Sequence, residues 1–268
     1  MDHSEIKRTI WLVVIFSILV NAVAWIAPLL GGNPASPGPG FILWGAAPLL
    51  VSLLMRAATR DWSDLGLKPA LQKNLLWYAV SLLVLPVIMI LALLIGVLFS
   101  VASLTDFAIG EFLQTTLAAL PIFFIFAIFE EVGWRGYLAP KLASLKLNPY
   151  LGYAVTAVVW ASWHLPYIRE LTWVYNSEAL VSFLPRFYLT CFALSILFGE
   201  IRGITATFWP AVLMHAVGNS FGHPLSADYV TVTAGQEYLG NISNGLFMIA
   251  LTGLLGAAIH WQRTRRKV

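Results

Sequence analysis

Long uncharged runs separated by short polar stretches dominate the chain. A helical bilayer span takes about 20 apolar residues. Eight runs of roughly that kind can be placed, at about 9–30, 41–55, 75–101, 113–137, 150–168, 181–199, 204–221 and 243–261. The second is the shortest, and the fourth can continue as helix past Arg135 toward Pro140. Inside lipid every backbone amide must be satisfied within its own segment, so such runs are helices. The pattern predicts an all-α polytopic membrane protein of about eight transmembrane helices, forming a single domain over 1–268. Between the first two runs, Gly31 to Gly40 carries no charge and is dense in Gly and Pro, which suits a translocated loop. Arg56 to Asn74 is the most polar stretch and reads as a cytoplasmic surface segment with Trp62 and Leu67 dipped into the interface.

Composition agrees with that pattern. Hydrophobic residues make up 59% and charged residues 11%, against about 45–50% and 25% in soluble domains. Basic residues in short loops fix orientation. With both termini cytoplasmic, Lys7, Arg8, Arg56, Arg60, Lys68, Lys73, Arg135, Lys141, Lys146, Arg202, Arg263, Arg265, Arg266 and Lys267 fall inside, and only Arg169 and Arg186 outside. The basic excess is therefore a topology signal, dispersed in loops, and gives no nucleic-acid patch. Ala22-Val23-Ala24 resembles a signal-peptide cleavage site, but the apolar run continues to Leu30, too long for a cleaved leader, so the first run is expected to be retained. Cys191 is the only cysteine, which removes intrachain disulfides and cysteine metal clusters and leaves packing as its role. No Gly-rich phosphate loop is present, which excludes an ATP-driven motor within the chain.

Against this background three runs carry polar groups. The fourth ends in Glu130-Glu131-Val132-Gly133-Trp134-Arg135 directly after a stretch without charge. Charges at a bilayer centre cost roughly 2.5–3.5 kcal/mol each on insertion scales, which makes such a cluster a functional candidate; alone, it could also be the headgroup-level end of a helix. In a helix Glu131 and Arg135 share a face and can pair, while Glu130 points elsewhere and stays free. Pro121 is expected to kink this helix and open a cavity beside the glutamates. The fifth run places His164 four residues after Trp160 and just before Pro166, where the helix bends or stops. The seventh places His215 and Asn219 on one face. His3, His223 and His260 take terminal or interfacial positions without an assigned role.

A carboxylate beside an imidazole can deprotonate water, and a second imidazole with an amide N–H can stabilise the oxyanion formed at a peptide carbonyl. Two His and a carboxylate are also a three-ligand set for catalytic zinc, although the chain has no His-Glu-x-x-His helix. A proton-coupled transporter using Glu130 and His164 as a relay, or a non-catalytic membrane scaffold, would use the same groups.

In that order, Glu130-Glu131-x-x-x-Arg135, Trp160-x-x-x-His164 and His215-x-x-x-Asn219 resemble the three motifs of the CAAX protease and bacteriocin-processing family of intramembrane endopeptidases. Asp64-Leu65-Gly66-Leu67-Lys68 also resembles a frequent family feature, and the motif core covers about 117–221. The resemblance implies a glutamate-dependent hydrolase needing no metal or other cofactor. Glu130 with His164 would activate water, His215 and Asn219 would hold the oxyanion, and Glu131 with Arg135 would be a supporting ion pair. Trp160 stands where the family commonly has Phe, a change expected to affect packing more than chemistry. The implied substrate is a membrane-associated peptide or protein, CAAX-type prenylated or bacteriocin-like, and the implied location a prokaryotic plasma membrane.

Overall fold

The computed structural model describes residues 2–171 and 178–265, so Arg266 and Lys267 lie outside the described residues. Helix α1 (His3–Ile26) begins on Asp2, whose carboxylate accepts the Glu5 amide at 2.8 Å while the Glu5 side chain accepts the Asp2 amide at 3.0 Å. This capping box satisfies two of the amides that a helix start leaves open. There follow α2 (Pro39–Thr59), α3 (Leu71–Leu98), a short strand β1 (Ala102–Leu104), α4 (Ile109–Gly133), a π-helical turn (Trp134–Leu138) and α5 (Ala139–Ser144). The chain continues with α6 (Pro149–His164), α7 (Leu180–Thr205), α8 (Trp209–Pro224), strand β2 (Val230–Val232), α9 (Glu237–Gly240) and α10 (Leu246–Arg265).

Each of the eight apolar runs is occupied by one of the long helices, but the runs are not equal as membrane spans. Among the described residues, five stretches are long and apolar enough to cross: His3–Leu30, Pro39–Thr59, Leu71–Leu98, Ile109–Ser144 and Leu180–Thr205. Helices α6 and α8 have 16 residues each, about 24 Å of helix against a hydrocarbon core of about 30 Å. They are the helices that carry His164 and His215. Helix α10 ends in His260, Arg263 and Arg265. Many large apolar side chains face outward, including Trp11 and Ile18 on α1 and Leu75, Leu83 and Leu98 on α3. Exposed apolar surface on that scale marks contact with lipid in an integral membrane protein.

Three expectations need correction. The fold contains one small antiparallel pair, β1 with β2, in register Ala102 to Val232, so the third run stops at Leu98 and does not continue to 101 as helix. Helix α4 runs through Pro121, and the departure from α geometry comes instead at Trp134–Leu138. Helix α8, expected from about 204, begins at Trp209, because α7 extends to Thr205 and Ala206 turns the chain in the left-handed region (φ 59°).

Buried apolar residues form clusters on both sides of α7. One joins Phe16 of α1, Trp44 of α2, Trp134 and Tyr137 of the π turn, Trp163 of α6 and Phe187 of α7. Another joins Leu85 of α3, Phe198 and Ile201 of α7, Met214 of α8 and Met248 of α10. Trp44 and Trp163 stack with ring centres 4.2 Å apart, and each indole N–H donates to the other's backbone carbonyl, at 2.9 and 3.0 Å. That reciprocal pair fixes α6 against α2 at the level of His164.

A polar clasp closes the other end of the motif helix. The Arg56 guanidinium, fully buried, donates to Asp64 at 2.7 Å, to the Asp61 carbonyl at 2.8 Å and to the Gly136 carbonyl inside the π turn. Lys141 bridges Asp61 and Asp64 at 2.6 and 2.9 Å. Its hydrogen bond, with that of the Ser63 hydroxyl, holds the Asp61 carboxyl well below the usual carboxylate range. Gly66 has φ +74°, and a Cβ there would stand 2.8 Å from Arg202 Nη2, so the turn admits only glycine without displacement. Its carbonyl accepts Thr207 Oγ1 at 2.8 Å.

Helix α4 meets α2 at Gly133, where a Cβ would fall 2.5 Å from Pro48 Cβ and 2.9 Å from its backbone. Gly133→Ala is expected to destabilise by about 1–3 kcal/mol through overpacking. Unfolding of the detergent-solubilised variant measures this, and a stability equal to wild type would show that the two helices are not in such close contact.

Candidate active site

Glu130 and Glu131 occupy the last turn of α4, and Arg135 lies in the π turn that follows. The Trp134 amide reaches back to the carbonyls of both Glu130 and Glu131, and the helix then widens by one residue where the Ala139 amide donates to the Trp134 carbonyl. Such bulges re-aim side chains at the cost of ordinary helix hydrogen bonds. The two adjacent carboxylates, about 100° apart round the helix axis, take different partners.

Glu131 is fully buried and its Oε1 accepts Arg135 Nη1 at 3.0 Å and His215 Nδ1 at 2.8 Å. A carboxylate oxygen can only accept, so His215 carries its proton on Nδ1 and turns Nε2 toward Glu130. The Nε2 to Glu130 Oε1 separation is 3.6 Å. Arg135 also lies over the rings of Trp160 and Phe198, at 4.7 and 4.5 Å from their centroids. Desolvated cation–π contacts of this kind offset part of the cost of burying the guanidinium. One oxygen of Glu131, Oε2, and one nitrogen of Arg135, Nη2, remain buried without a hydrogen bond.

Glu130 is not free, contrary to the sequence expectation. Its Oε2 accepts the indole N–H of Trp160 at 2.8 Å and that of Trp134 at 3.3 Å. Trp134 stands one helical turn after Glu130, and Trp160 comes from α6. Trp160 therefore touches the candidate carboxylate directly, where the sequence reading gave it a packing role. The signal was available only in part, since the Glu130 to Trp134 spacing of four was visible but the approach of α6 was not. Oε1 is left facing His215.

His164 is the last residue of α6, and the chain passes into a 3-10 turn at Leu165–Tyr167 containing Pro166. Its Nδ1 lies 2.9 Å from the Trp160 carbonyl, which must accept, so Nε2 carries the lone pair. The ring sits between Trp163 and Phe187, at 4.6 and 5.3 Å between centres. The indole of Trp160 lies between the two imidazoles, 6.2 Å from His164 and 5.8 Å from His215. Glu130 and His215 are both within electrostatic reach of His164. Asn219 lies one turn beyond His215 on α8, half-buried, and its carboxamide has no hydrogen-bond partner among the described residues.

The fold thus brings Glu130, Glu131, Arg135 and His215 into direct contact and connects His164 to them through Trp160. Asn219 shares the helix of His215 without touching the carboxylates. Among the described residues no three His, Cys, Asp or Glu side chains are grouped to hold a metal ion. Outside this cluster, His260, given no role from sequence, bonds the buried Glu200 at 2.7 Å.

Residues 112–221 match the family model described as type II CAAX prenyl endopeptidase Rce1-like. That stretch is similar to the Rce1-like family and covers less than half of the chain. It runs from Phe112 in α4 to Phe221 in α8 and so contains every residue of the cluster just described. The CAAX prenyl protease 2 of Methanococcus maripaludis is 29% identical over 98 residues, 35% of this chain and 35% of that protein. The similarity therefore spans about a third of the length of the curated relative. Helices α1, α2, α3 and α10 lie outside the Rce1-like stretch and enclose it.

Removing one member of a buried ion pair leaves the other uncompensated, at a cost of about 3–5 kcal/mol. Arg135→Ala is expected to lower stability by that amount, and the paired change Glu131→Gln with Arg135→Met to recover much of it. Unfolding of the two proteins in detergent gives the comparison; an unchanged Arg135→Ala midpoint would mean that the pair is not structural.

Proposed function

We propose that the protein is an intramembrane endopeptidase that hydrolyses a peptide bond of a membrane-associated protein or peptide by glutamate-activated water. The observation that carries this reading is the Glu130 carboxylate, anchored through Oε2 by two indole N–H groups and presenting Oε1 3.6 Å from His215 Nε2 in an apolar interior. The Rce1-like match over the same residues supports it.

In the proposed mechanism, Glu130 removes a proton from a water that adds to the scissile carbonyl, and His164 Nε2 assists in orienting that water. Nδ1 of His164 is held by the Trp160 carbonyl, which keeps the ring in the tautomer this role needs. The developing oxyanion is received by the unpartnered carboxamide of Asn219 and, on the same helix face, by His215 with a second proton on Nε2, its Nδ1–H staying on Glu131. Proton return from Glu130 to the leaving amine completes the cleavage, with one water consumed and one carboxylic acid and one amine formed. Glu131 and Arg135 position His215 and do not touch substrate. Water activation needs no metal here, and a zinc site would require regrouping His164 with His215 and Glu130.

The name of the archaeal relative points to a prenylated C-terminal CAAX sequence as the substrate class. A prokaryotic plasma membrane, with both termini cytoplasmic, fits the distribution of basic residues.

Purified protein cleaving a panel of prenylated and unprenylated peptides tests the reading. Glu130→Gln and His164→Ala are each expected to lower kcat about 10²–10⁴-fold, with a strong chelator leaving wild type unaffected. Activity abolished by chelator and restored by zinc would replace this mechanism with a metal-dependent one, and full activity of Glu130→Gln would remove the carboxylate from it. Trp160→Phe retains the ring but not the N–H, and is expected to lower kcat with KM unchanged and stability near wild type. A change in KM alone would assign Trp160 to substrate packing.

A further inference from the structure

At the clasp end of the bundle a cavity of about 720 Å³ opens between α5, α6, α7 and α10. Two helix faces make its walls. Asn148, Gly152 and Thr156 recur on one face of α6, and Gly199, Arg202 and Gly203 on one face of α7. The glycines keep these helices from filling the gap. From Asn148 to Thr156 the cavity lining runs about 12 Å along α6, and its surface is more apolar than polar.

The charges at the mouth do not balance. Of the charged residues lining the cavity, Arg202 and Arg263 stand against Asp64 alone, and Asp64 is already engaged by Arg56 and Lys141 from outside the lining, as Arg263 is by the buried Glu200. Asp64 accepts from Arg56 and Lys141. Glu200, fully buried, accepts from the Tyr153 hydroxyl, from His260 at 2.7 Å and from Arg263 Nε and Nη2 at 2.6 and 3.0 Å. Arg202 spends Nε and Nη2 on the carbonyls of Arg135 and Asp64, at 2.9 and 2.7 Å. Nη1 of Arg202 and Nη1 of Arg263 have no partner among the described residues. A Cβ at Gly203 would lie 3.4 Å from Arg263 Nη1, which places that group directly beside the α7 face holding Arg202. Asn148 and Pro149, the amino-terminal end of the 16-residue α6, line the same mouth and add partial positive charge.

We propose that this cavity is a binding site for the phosphate headgroup of an anionic phospholipid, with the start of an acyl chain lying along the α6 and α7 floor. A phosphate diester accepts from the two open Nη1 groups, and the apolar floor accepts what a free anion lacks. Basic pockets between helices at the cytoplasmic face are the usual setting for such headgroups. The site is separate from the Glu130 cluster and does not rest on its chemistry. Arg202 connects the two, since the carbonyl it holds belongs to Arg135.

Full-length protein in a neutral detergent, titrated with phosphatidylglycerol, phosphatidylcholine or inorganic phosphate, tests this by thermal shift. Phosphatidylglycerol is expected to raise Tm saturably, and the other two are not. Arg202→Gln should weaken the phosphatidylglycerol effect about fivefold, the worth of one arginine near an anionic surface. Because Arg202 also braces the π turn, Ala143→Phe, an exposed position on α5 lining the cavity, provides a second variant that fills the space without altering charge. It should abolish the shift while leaving the lipid-free Tm unchanged. Equal shifts from phosphatidylcholine, or shifts retained by both variants, would overturn the site. A shift from inorganic phosphate equal to that from phosphatidylglycerol would overturn the lipid assignment in favour of a free anion. Competitive inhibition of peptide cleavage by phosphatidylglycerol, lost in Ala143→Phe, would overturn it in favour of a substrate subsite.

Discussion

Two adjacent carboxylates and a guanidinium sit almost wholly out of solvent, and the fold arranges itself to make that tolerable. An isolated buried charge costs several kcal/mol even after relaxation. Glu131 is compensated by Arg135 and by His215 N–H; Arg135 is compensated by Glu131 and by two aromatic faces. Glu130 receives no cation of its own and is held by two indoles, which fix its position but leave one oxygen available. Two neighbouring residues of the same type are thus divided into a structural acid and a chemically open one. Arg135, Glu131 and His215 form a line of contacts, so the orientation of His215 toward Glu130 is inherited from an ion pair it does not belong to.

The division depends on backbone geometry as much as on charge. Glu131 and Arg135 pair across one turn, as α-helical spacing allows. The π turn at Trp134–Leu138 adds a residue, and the Gly136 carbonyl within it is received by Arg56 and the Arg135 carbonyl by Arg202. The clasp made by Asp61, Asp64 and Lys141 therefore acts on the site through the backbone. It explains why the Asp64-Leu65-Gly66 segment, far away in sequence, accompanies the motifs. Leu65 packs into the cluster with Val132 and Val212, and Gly66 allows Arg202 to approach.

Much of this was legible in the sequence because it is local. The apolar runs located the long helices, the spacing of four paired Glu131 with Arg135, and Pro166 placed the end of α6 at His164. What escaped notice depends on contacts between distant segments. The indole of Trp160 reaches Glu130 across 30 residues, and His215 reaches Glu131 across 84. Hydropathy gave eight spans, yet α6 and α8 are short, because α6 begins at Pro149 and gives way to a 3-10 turn at Pro166, and α8 runs only from Trp209 to Pro224. The pairing of Ala102 with Val232 could not be read from two three-residue stretches. Nor could the cluster around Glu200, since its partners Tyr153, His260 and Arg263 come from other helices.

The proposal that Glu130 works on water, and is not itself the attacking group, separates this site from one that forms a covalent intermediate. Single-turnover cleavage of a membrane-associated peptide in the presence of hydroxylamine and a chelator, with both fragments weighed intact, addresses that difference. Direct attack by water gives one fragment ending in a plain carboxylate, the other beginning with a free amine, and neither fragment from Glu130→Gln. A hydroxamate on the new carboxyl end, or cleavage that stops when the chelator is added, would contradict the account.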